Sequence, residues 1–352
     1  MTSGQPEYGT HADLEWCYDA VHGVSRTFSI TIDRLEEPMA KHICVGYLLC
    51  RVADTIEDAG HIPPETQTEL LEEYDRLLDP ETDTDRTVAA FMDEVEPWVP
   101  DPEKRNEDWE VVAETPRVLG TFESLDEEPR EIMRDPVREL VDGMAMFTDR
   151  YADEGGLRLQ TLEELEEYCW YAAGTVGTLI TGLVARGASE QRAEEMRDNA
   201  RSFALLLQLV NIAKDVENDY HEENNVYLPA EWLEEENVAI EEVTREENHG
   251  AVTNVIQRVT DRAETYVDDA HRYLEVVPER HGNRLSAWAI PYLLAVGTMR
   301  ELRERPEDVV KEGDVKVPRA EVYALIQQFE GEVSRSRLED LRREMAEKPL
   351  HQ

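Results

Sequence analysis

HICVGYLLCRVADTIEDAG, residues 42–60, begins as an apolar run and ends in acids. Its apolar side chains cover much of the circumference of a helix, which predicts a buried helix. Arg51, Asp54 and Asp58 follow Tyr47 on one stripe, at steps of four, three and four residues. Because an unpaired buried charge is costly, this stretch poses the question of what its carboxylates, including Glu57, bind.

A second apolar run ends in acids far downstream. FALLLQLVNIAKDVENDY, residues 203–220, is too apolar in its first half for a surface helix, and it places Asn211, Asp215 and Asp219 on one face. Acid pairs at helical spacing are common by chance in a chain with 79 acids among 352 residues, and most are solvated helix faces. Two buried helices that each end in a carboxylate pair are a rarer pattern, which predicts a functional site.

Two interpretations account for these acids. Ion pairs with Arg51 and Arg201 would be purely structural. Alternatively, the acids bind a hard divalent cation, since Mg²⁺ takes oxygen ligands and usually binds one or two carboxylates plus substrate phosphates. Two facing acidic helices would then hold a diphosphate between metal ions, with Arg26, Arg51 and Lys214 as nearby positive charges. The residues alone leave both interpretations open.

Helical periodicity dominates the chain and alternating strand patterns are essentially absent, so we predict an all-α fold. No Gly/Ser linker or internal repeat divides the sequence, which favours one domain over residues 1–352 with a core of about 14–347. The predicted helices are 14–23, 39–59, 65–78, 85–95, 107–119, 129–151, 162–186, 190–219, 252–277, 284–305 and 319–347.

Composition restricts the partners. A net charge of −43 repels nucleic acid and anionic lipid. With six lysines against thirty arginines, the acidic surface favours a halophilic source, where salt screens self-repulsion. No run of about 18 apolar residues predicts a membrane-spanning helix, and no secretory signal pattern is present. We therefore expect a cytoplasmic protein with reduced cysteines. The GxSxG, HExxH, Walker A and Rossmann glycine patterns are absent.

Six segments together carry a more specific pattern. They are SRTFS (25–29), YLLCRVADTIEDA (47–59), DGMAMF (142–147), YCWYAAGTVG (168–177), NIAKDVENDY (211–220) and VYLP (226–229). In order and separation they resemble the squalene and phytoene synthases, head-to-head prenyl transferases of the isoprenoid synthase class. The resemblance covers about residues 18–326 and implies a helical bundle with a central cavity.

The resemblance also implies roles for individual residues. The matched Mg²⁺ ligands, which hold and ionise a prenyl diphosphate, are Asp54, Glu57, Asp58, Asp215 and Asp219. Tyr171 matches the tyrosine proposed to handle the proton in cyclopropane formation. Lys214 stands where squalene synthases commonly have arginine, so the charge is kept and the bidentate geometry is not. The candidate substrate-binding residues are Ser25, Arg26, Phe28, Tyr47, Arg51 and Lys214.

Three features resemble the squalene branch: DTIED, GMAMF, and AIPYLLAVGTM (289–299) with VKVPR (315–319). That branch joins two farnesyl diphosphates and reduces the intermediate with NADPH. The implied NADPH residues are Asn211, Lys316 and Arg319, although Pro318 displaces the arginine by one position. Phytoene or dehydrosqualene synthesis without a reductant is the alternative, and a non-enzymatic acidic scaffold is a third.

An allylic cation must be kept from water, which predicts an apolar pocket. The candidate walls are Phe28, Leu48, Val52, Ala172, Ala173, Val176, Leu206, Leu209 and Pro291, each with core packing as the alternative. Gly174 and Gly177 lie inside a predicted helix, which indicates either a close approach there or a local kink. The oily product suggests transient peripheral contact with a membrane.

Overall fold

The structure, a computed structural model, describes residues 8–82, 84–313, 315–330 and 334–351, with the backbone alone for 84–87. Within these ranges the regular elements are helices, and an isolated bridge joins Arg158 to Val226. The predicted all-α class is confirmed. The helices are α1 (His11–Val24), α2 (Arg26–Arg34), α3 (Met39–Glu57), α4 (Pro64–Leu78), α5 (Thr84–Val95), α6 (Glu107–Ala113), α7 (Thr115–Glu123), α8 (Glu127–Arg150), α9 (Leu162–Cys169), α10 (Thr175–Val184), α11 (Glu190–Asn218), α12 (Ala230–Glu235), α13 (His249–Glu264), α14 (Val267–Val276), α15 (Leu285–Glu304), α16 (Asp308–Glu312), α17 (Arg319–Gln328) and α18 (Arg335–Glu347).

Some predicted helices are divided in the structure. The predicted helix 107–119 is two helices, because Pro116 in the first turn of α7 has no N–H to continue the hydrogen-bond ladder of α6. The predicted helix 252–277 divides near Thr265, whose hydroxyl donates to the Arg262 carbonyl at 2.7 Å and competes with the backbone. Prediction missed α2, α12 and α16. At the start of α2, Ser25 accepts a hydrogen bond from the Phe28 N–H at 3.1 Å.

Two π-helical turns interrupt the helices that carry the site. Trp170–Gly174 separates α9 from α10, and Asp219–Glu223 follows α11. A Cβ on Gly174 would lie 2.3 Å from the Trp170 ring, so glycine permits that turn. A Cβ on Gly177 would lie 3.1 Å from the Ala204 Cβ, where α10 approaches α11. The two glycines thus correspond to a local distortion and a close helix approach, respectively.

The two acid-bearing helices lie inside the fold. α3 packs against α1, α4, α6, α7, α8 and α10, while α11 packs against α10, α13, α14 and α15. Ile43, Val45, Leu48 and Leu49 are fully buried, as predicted for α3. Cys17, Cys44, Cys50 and Cys169 are buried and free. No helix within the described ranges has both the length and the apolar character needed to cross a membrane.

Candidate active site

The first acidic cluster forms where α3 ends. Asp58 terminates the helix, and its backbone N–H still donates to the Asp54 carbonyl at 2.9 Å. This geometry turns three carboxylates toward one another, so that one ligand atom each from Asp54, Glu57 and Asp58 lies within 4.8 Å of the others. Glu57 is only 4% exposed and accepts from the Tyr168 hydroxyl at 3.3 Å. The three predicted ligands of the first motif are therefore adjacent.

The second acidic cluster spans the end of α11 and its π turn. Asp215 lies one turn before the end of α11, and Asp219 begins the π turn. The turn closes at Asn224, whose left-handed φ of 60° ends the helical run. Glu222 and Glu223, which lie beyond the predicted end of the helix at residue 219, thereby join Asp215 and Asp219 in the lining of one cavity.

Both clusters line a single cavity of about 420 Å³, which we call the acidic cavity. Its six carboxylates are Asp54, Asp58, Asp215, Asp219, Glu222 and Glu223, and its two cations are Arg51 and Lys316. The other lining residues are Tyr168, Ala172, Gln208, Asn211, Ile212, Asn218 and Tyr227. The fold thus brings together two motifs that lie about 160 residues apart in the chain.

Four carboxylates in or beside this cavity have pKa values above the ordinary carboxyl range. Burial, reinforced by repulsion from Asp215, raises the pKa of Asp219 to about 8. Burial and repulsion from Asp219 raise the pKa of Glu223 to about 9. Burial likewise raises the pKa values of Glu57 and Asp58 well above the usual carboxyl range. Ionising these carboxylates in the metal-free cavity is therefore costly, and a bound cation would lower that cost.

Arg51 forms an ion pair with Asp54, as the structural interpretation of the acids predicts. Its guanidinium contacts Asp54 at 2.5 Å, donates to the Tyr47 hydroxyl at 2.9 Å and lies 3.6 Å from Asp108. Arg201, the other predicted ion-pair partner, lies instead over the Trp170 ring, 5.3 Å from its centroid, in a separate cleft. The cavity sets two cations, Arg51 and Lys316, against six carboxylates, so ion pairing alone does not account for the cluster.

The donor set fits Mg²⁺. All the acids present oxygen, the donor atom that this hard cation prefers. The Lys214 ammonium donates to Asp215 Oδ2 in an ion pair, while the other oxygen of Asp215, Oδ1, is buried without a hydrogen-bond partner among the described residues. A buried polar atom without a partner calls for an explanation, and a metal ligand position is one that suits a carboxylate facing five others.

An apolar cavity of about 280 Å³ adjoins the acidic cavity, and the two share Arg51, Asp54 and Ala172. The Phe28 and Tyr47 rings stack at its side, with centroids 4.1 Å apart. The remaining lining residues are Ser25, Thr27, Thr31, Cys50, Leu140, Ala173, Val176, Gly177, Ile180, Phe203, Ala204, Leu207, Trp288 and Pro291. A polar cavity thus lies next to an apolar one.

Five of the nine predicted walls line this apolar cavity, namely Phe28, Ala172, Ala173, Val176 and Pro291. The prediction was wrong for the other four, which are completely buried in the core: Leu48, Val52, Leu206 and Leu209. They lie on faces of α3 and α11 that turn toward neighbouring helices. Sequence periodicity identifies buried faces, but it does not separate a cavity wall from a packed core.

Five predicted site residues line neither cavity, namely Arg26, Glu57, Tyr171, Lys214 and Arg319. Arg26 is exposed, because successive residues of α2 point about 100° apart and Ser25 and Phe28 occupy the cavity side. Arg319 is exposed at the start of α17, whereas Lys316 and Asn211 line the acidic cavity. The shifted arginine therefore does not reach the position expected from the resemblance.

Tyr171 also departs from its expected place. Its ring packs over Gly143, where an added Cβ would lie 2.2 Å from the ring, and contacts Phe147. The side chain lines an open cleft of about 680 Å³ on another face. The neighbours Tyr168 and Ala172 take the cavity-facing positions, so Tyr168 is the tyrosine of this segment beside the acids.

The sequence analysis missed Tyr168, Tyr227, Glu222 and Glu223. The two tyrosines lie within segments that carried the family resemblance, but no spacing rule marked them. Glu222 and Glu223 follow Asp219 by three and four residues, which is the spacing of one helical face. Continuing the second helix through this acid pair would have identified them.

The chain matches the family model described as squalene/phytoene synthase over residues 21–321. The chain belongs to this family. Its all-helical fold is that of the isoprenoid synthases. Segments that carried the family resemblance line the acidic cavity. The resemblance is confirmed at the level of the family.

Individual relatives are more distant. The chain is 26% identical to squalene synthase 1 of Arabidopsis thaliana over 286 residues, covering 81% of this chain and 64% of that protein. It is 29% identical to squalene synthase LSS of Botryococcus braunii over 317 residues, covering 89% of this chain and 63% of that protein. The chain thus spans less than two thirds of the length of these relatives.

Among solved structures, the chain resembles TcSQS in complex with the ligand BPH1237. The TM-score is 0.75 at 23% identity, and the match covers 97% of this chain and 100% of that chain. At this identity the similarity establishes the shared fold, while substrate and product are matters for the site.

Proposed function

We propose that this protein is a Mg²⁺-dependent squalene synthase. In this proposal it condenses two farnesyl diphosphates head to head into presqualene diphosphate and reduces that intermediate to squalene with NADPH. The observation that carries the proposal is the pair of carboxylate clusters on one acidic cavity that adjoins an apolar cavity. A diphosphate head and a prenyl tail require this combination of environments.

The proposed metal ligands are the carboxylates of the two clusters. Asp54 and Asp58 would hold Mg²⁺ from α3, with Glu57 beneath them, and Asp215 and Asp219 would hold it from α11. When bound, Mg²⁺ supplies Lewis-acid stabilisation of the charge on the departing diphosphate. The buried Oδ1 of Asp215 is available for this role without losing a hydrogen bond.

Two cations of the chain would orient the diphosphate. Arg51 lies at the boundary between the two cavities, where the reacting carbon meets the leaving group. Its contacts with Tyr47 and Asp54 fix the guanidinium in place before substrate arrives. Lys316 enters the acidic cavity from the segment before α17. Charge-assisted hydrogen bonds from such groups are roughly twice as strong as neutral ones.

The apolar cavity would protect the allylic cation. Its aliphatic and aromatic lining excludes water, which would otherwise quench the cation. The stacked faces of Phe28 and Tyr47 lie at this cavity, and aromatic faces attract positive charge. Phe28 and Tyr47 therefore suit both tail binding and cation stabilisation.

In this proposal NADPH, the reductant, binds beside the acidic cavity. Asn211 and Lys316 both line the acidic cavity, which agrees with phosphate recognition near the reacting centre. Arg319 lies outside this lining and has no role in the proposal. We also propose a cytoplasmic location with transient membrane contact, because squalene must reach a bilayer.

Incubation of the purified full chain with labelled farnesyl diphosphate and Mg²⁺ tests the proposal. We expect presqualene diphosphate without NADPH and squalene with it. An Asp215→Asn variant serves as the inactive control. A C40 product from geranylgeranyl diphosphate, or dehydrosqualene regardless of reductant, would contradict the assignment in favour of a phytoene or dehydrosqualene synthase.

A further inference from the structure

Two stacked tyrosines lie at the wall of the acidic cavity. Tyr168 is 4% exposed and Tyr227 is 7% exposed. Their ring centroids are 4.9 Å apart with an interplanar angle of 28°, and their hydroxyl oxygens are 3.2 Å apart. Buried hydroxyls are costly unless they are hydrogen-bonded, so their partners indicate what the pair does.

Each hydroxyl meets a carboxylate from a different cluster. Tyr168 lies 3.3 and 3.5 Å from the two oxygens of Glu57, which follows Asp54 on α3. Tyr227 lies 3.5 Å from Glu223, at the end of the π turn that follows α11. The tyrosine pair therefore connects the two acidic clusters through its contacts with Glu57 and Glu223.

The donor count gives these contacts a direction. Asn225 donates its side-chain N–H to the Tyr227 oxygen at 3.0 Å, which leaves the single Tyr227 proton for an acceptor such as Glu223. The single Tyr168 proton has two acceptors within reach, the Tyr227 oxygen at 3.2 Å and Glu57 at 3.3 Å. Both carboxylates can then accept hydrogen bonds from the tyrosine pair, and Glu223 also lines the acidic cavity.

The network is anchored outside the cavity. The Asn225 side-chain oxygen accepts from the Leu157 N–H at 2.9 Å, and the Val226 N–H donates to the Leu157 carbonyl at 2.9 Å. A Cβ on Gly156 would lie 2.1 Å from the Asn224 carbonyl oxygen, so glycine permits this close approach. The Tyr227 hydroxyl therefore sits on a fixed backbone frame.

We infer that Tyr168 and Tyr227 are positioning residues that hold Glu57 and Glu223, and with them the two acidic clusters, at the separation needed to bind a metal–diphosphate unit. The inference rests on the proposed function. Groups that hydrogen-bond to metal ligands typically matter by about 10–100-fold in metal affinity. The contacts are long here, and such hydrogen bonds often shorten only when the site is loaded.

Binding of Mn²⁺ in the presence of inorganic pyrophosphate tests this inference on the full chain. Electron paramagnetic resonance counts free Mn²⁺ and yields the affinity without requiring turnover. The variants are Tyr168→Phe and Tyr227→Phe, which remove one hydroxyl each. The matched control is Tyr74→Phe, because Tyr74 is completely buried and donates to the Leu49 carbonyl of α3, outside the lining of the acidic cavity.

We expect Mn²⁺ affinity to fall about tenfold or more in both cavity variants and to stay within about twofold in Tyr74→Phe. In turnover assays the Mg²⁺ concentration for half-maximal rate should rise by a similar factor, while the rate at saturating Mg²⁺ stays within about threefold. Measurements are made below the unfolding temperature of each variant, so that lost stability does not imitate lost affinity.

Wild-type Mn²⁺ affinity in both cavity variants would overturn the inference and leave the proposed function standing. An equal loss in Tyr74→Phe would also overturn it, because the effect would then follow from core packing. If the wild-type chain binds no Mn²⁺ with pyrophosphate, the proposed function itself fails, and the inference fails with it.

Discussion

At the scale of single residues, Asp219 links function to stability. Its pKa is raised from 3.8 to about 8 by burial and by the neighbouring Asp215. The folded state therefore keeps a proton that the unfolded state releases near pH 4. The stabilisation is complete below pH 4 and is lost as pH rises toward 8. The metal-free protein should thus lose stability from about pH 6 to 8.

Thermal unfolding in the presence of a chelator checks this prediction. Asp219→Asn should flatten the decline between pH 6 and 8, whereas Asp93→Asn at an exposed position should leave it unchanged. Added Mg²⁺ should raise the unfolding temperature of the wild type most at the higher pH. A wild-type chain whose chelated form is equally stable at both pH values would contradict the prediction.

Substitution of the central acids should separate activity from folding. Asp54→Asn and Asp215→Asn each remove one proposed ligand from a cavity that already has excess negative charge. We expect kcat to fall about 100-fold or more, since losing one electrostatic contact at a reacting centre has that order of effect. The unfolding temperature without metal should hold or rise. Unchanged kcat in both variants would contradict the assignment of these acids as metal ligands, whereas a wild-type chain that forms no product would favour the non-enzymatic scaffold.

The sequence was sufficient to identify the acids that recur at helical spacing. Asp54, Asp58, Asp215 and Asp219 lie at helical intervals on apolar helices, and the structure places all four on one cavity. Tyr171 shows the limit, because a π-helical turn changes which side chains face inward. No spacing rule distinguishes that turn from an ordinary helix before the tertiary contacts are known.

At the scale of elements, the π turn Asp219–Glu223 depends on the loop that supports it. Gly156→Ala would place a Cβ 2.1 Å from the Asn224 carbonyl oxygen and displace the segment that ends the turn. We expect a loss of about 1–3 kcal/mol in the free energy of unfolding and weaker metal binding. Urea denaturation with Mn²⁺ titration measures both.

Gly250→Ala is the matched control for Gly156→Ala. Gly250 lies in α13, and an added Cβ there meets no atom within 4 Å. Alanine is the better helix former, so stability should stay equal or rise by up to about 1 kcal/mol. Equal stability and metal affinity of the two variants would show that the loop does not support the π turn.

Element boundaries followed local chemistry more than periodicity. The helix starts at Met39 and Leu162 were predicted to the residue, with Pro38 and Thr161 immediately before them. The helix breaks at Pro116 and Thr265 were missed, because an amphipathic pattern can continue from one helix into the next. Predicting these breaks requires weighing one absent N–H or one competing hydroxyl against the whole pattern.

At the scale of the whole molecule, the charge of −43 should govern stability. Salt at molar concentration shortens the screening length to about 3 Å and weakens repulsion between acids. We predict that the unfolding temperature rises steeply from 0.1 to 2 M KCl, as the halophilic interpretation requires. Fluorescence-monitored thermal unfolding measures the change. An unfolding temperature independent of KCl would contradict the halophilic interpretation.

One connected hydrophobic core extends from Cys17 to Met345 and supports the proposal of a single domain. The predicted consequence is one cooperative transition, with activity and helical circular dichroism lost together. The sequence predicts one domain because no linker interrupts the helical pattern. The volumes of the cavities could not be predicted from the sequence, because they depend on where buried helix faces do not pack against each other.

The proposed function requires two acidic helix ends to bind metal and diphosphate together. Crystals soaked with Mn²⁺ and inorganic pyrophosphate test this requirement through the anomalous signal of manganese. We expect anomalous peaks in the acidic cavity, within ligand distance of carboxylates from both clusters, with pyrophosphate beside Arg51. Manganese bound elsewhere, or an acidic cavity without an anomalous peak while pyrophosphate is present, would contradict it.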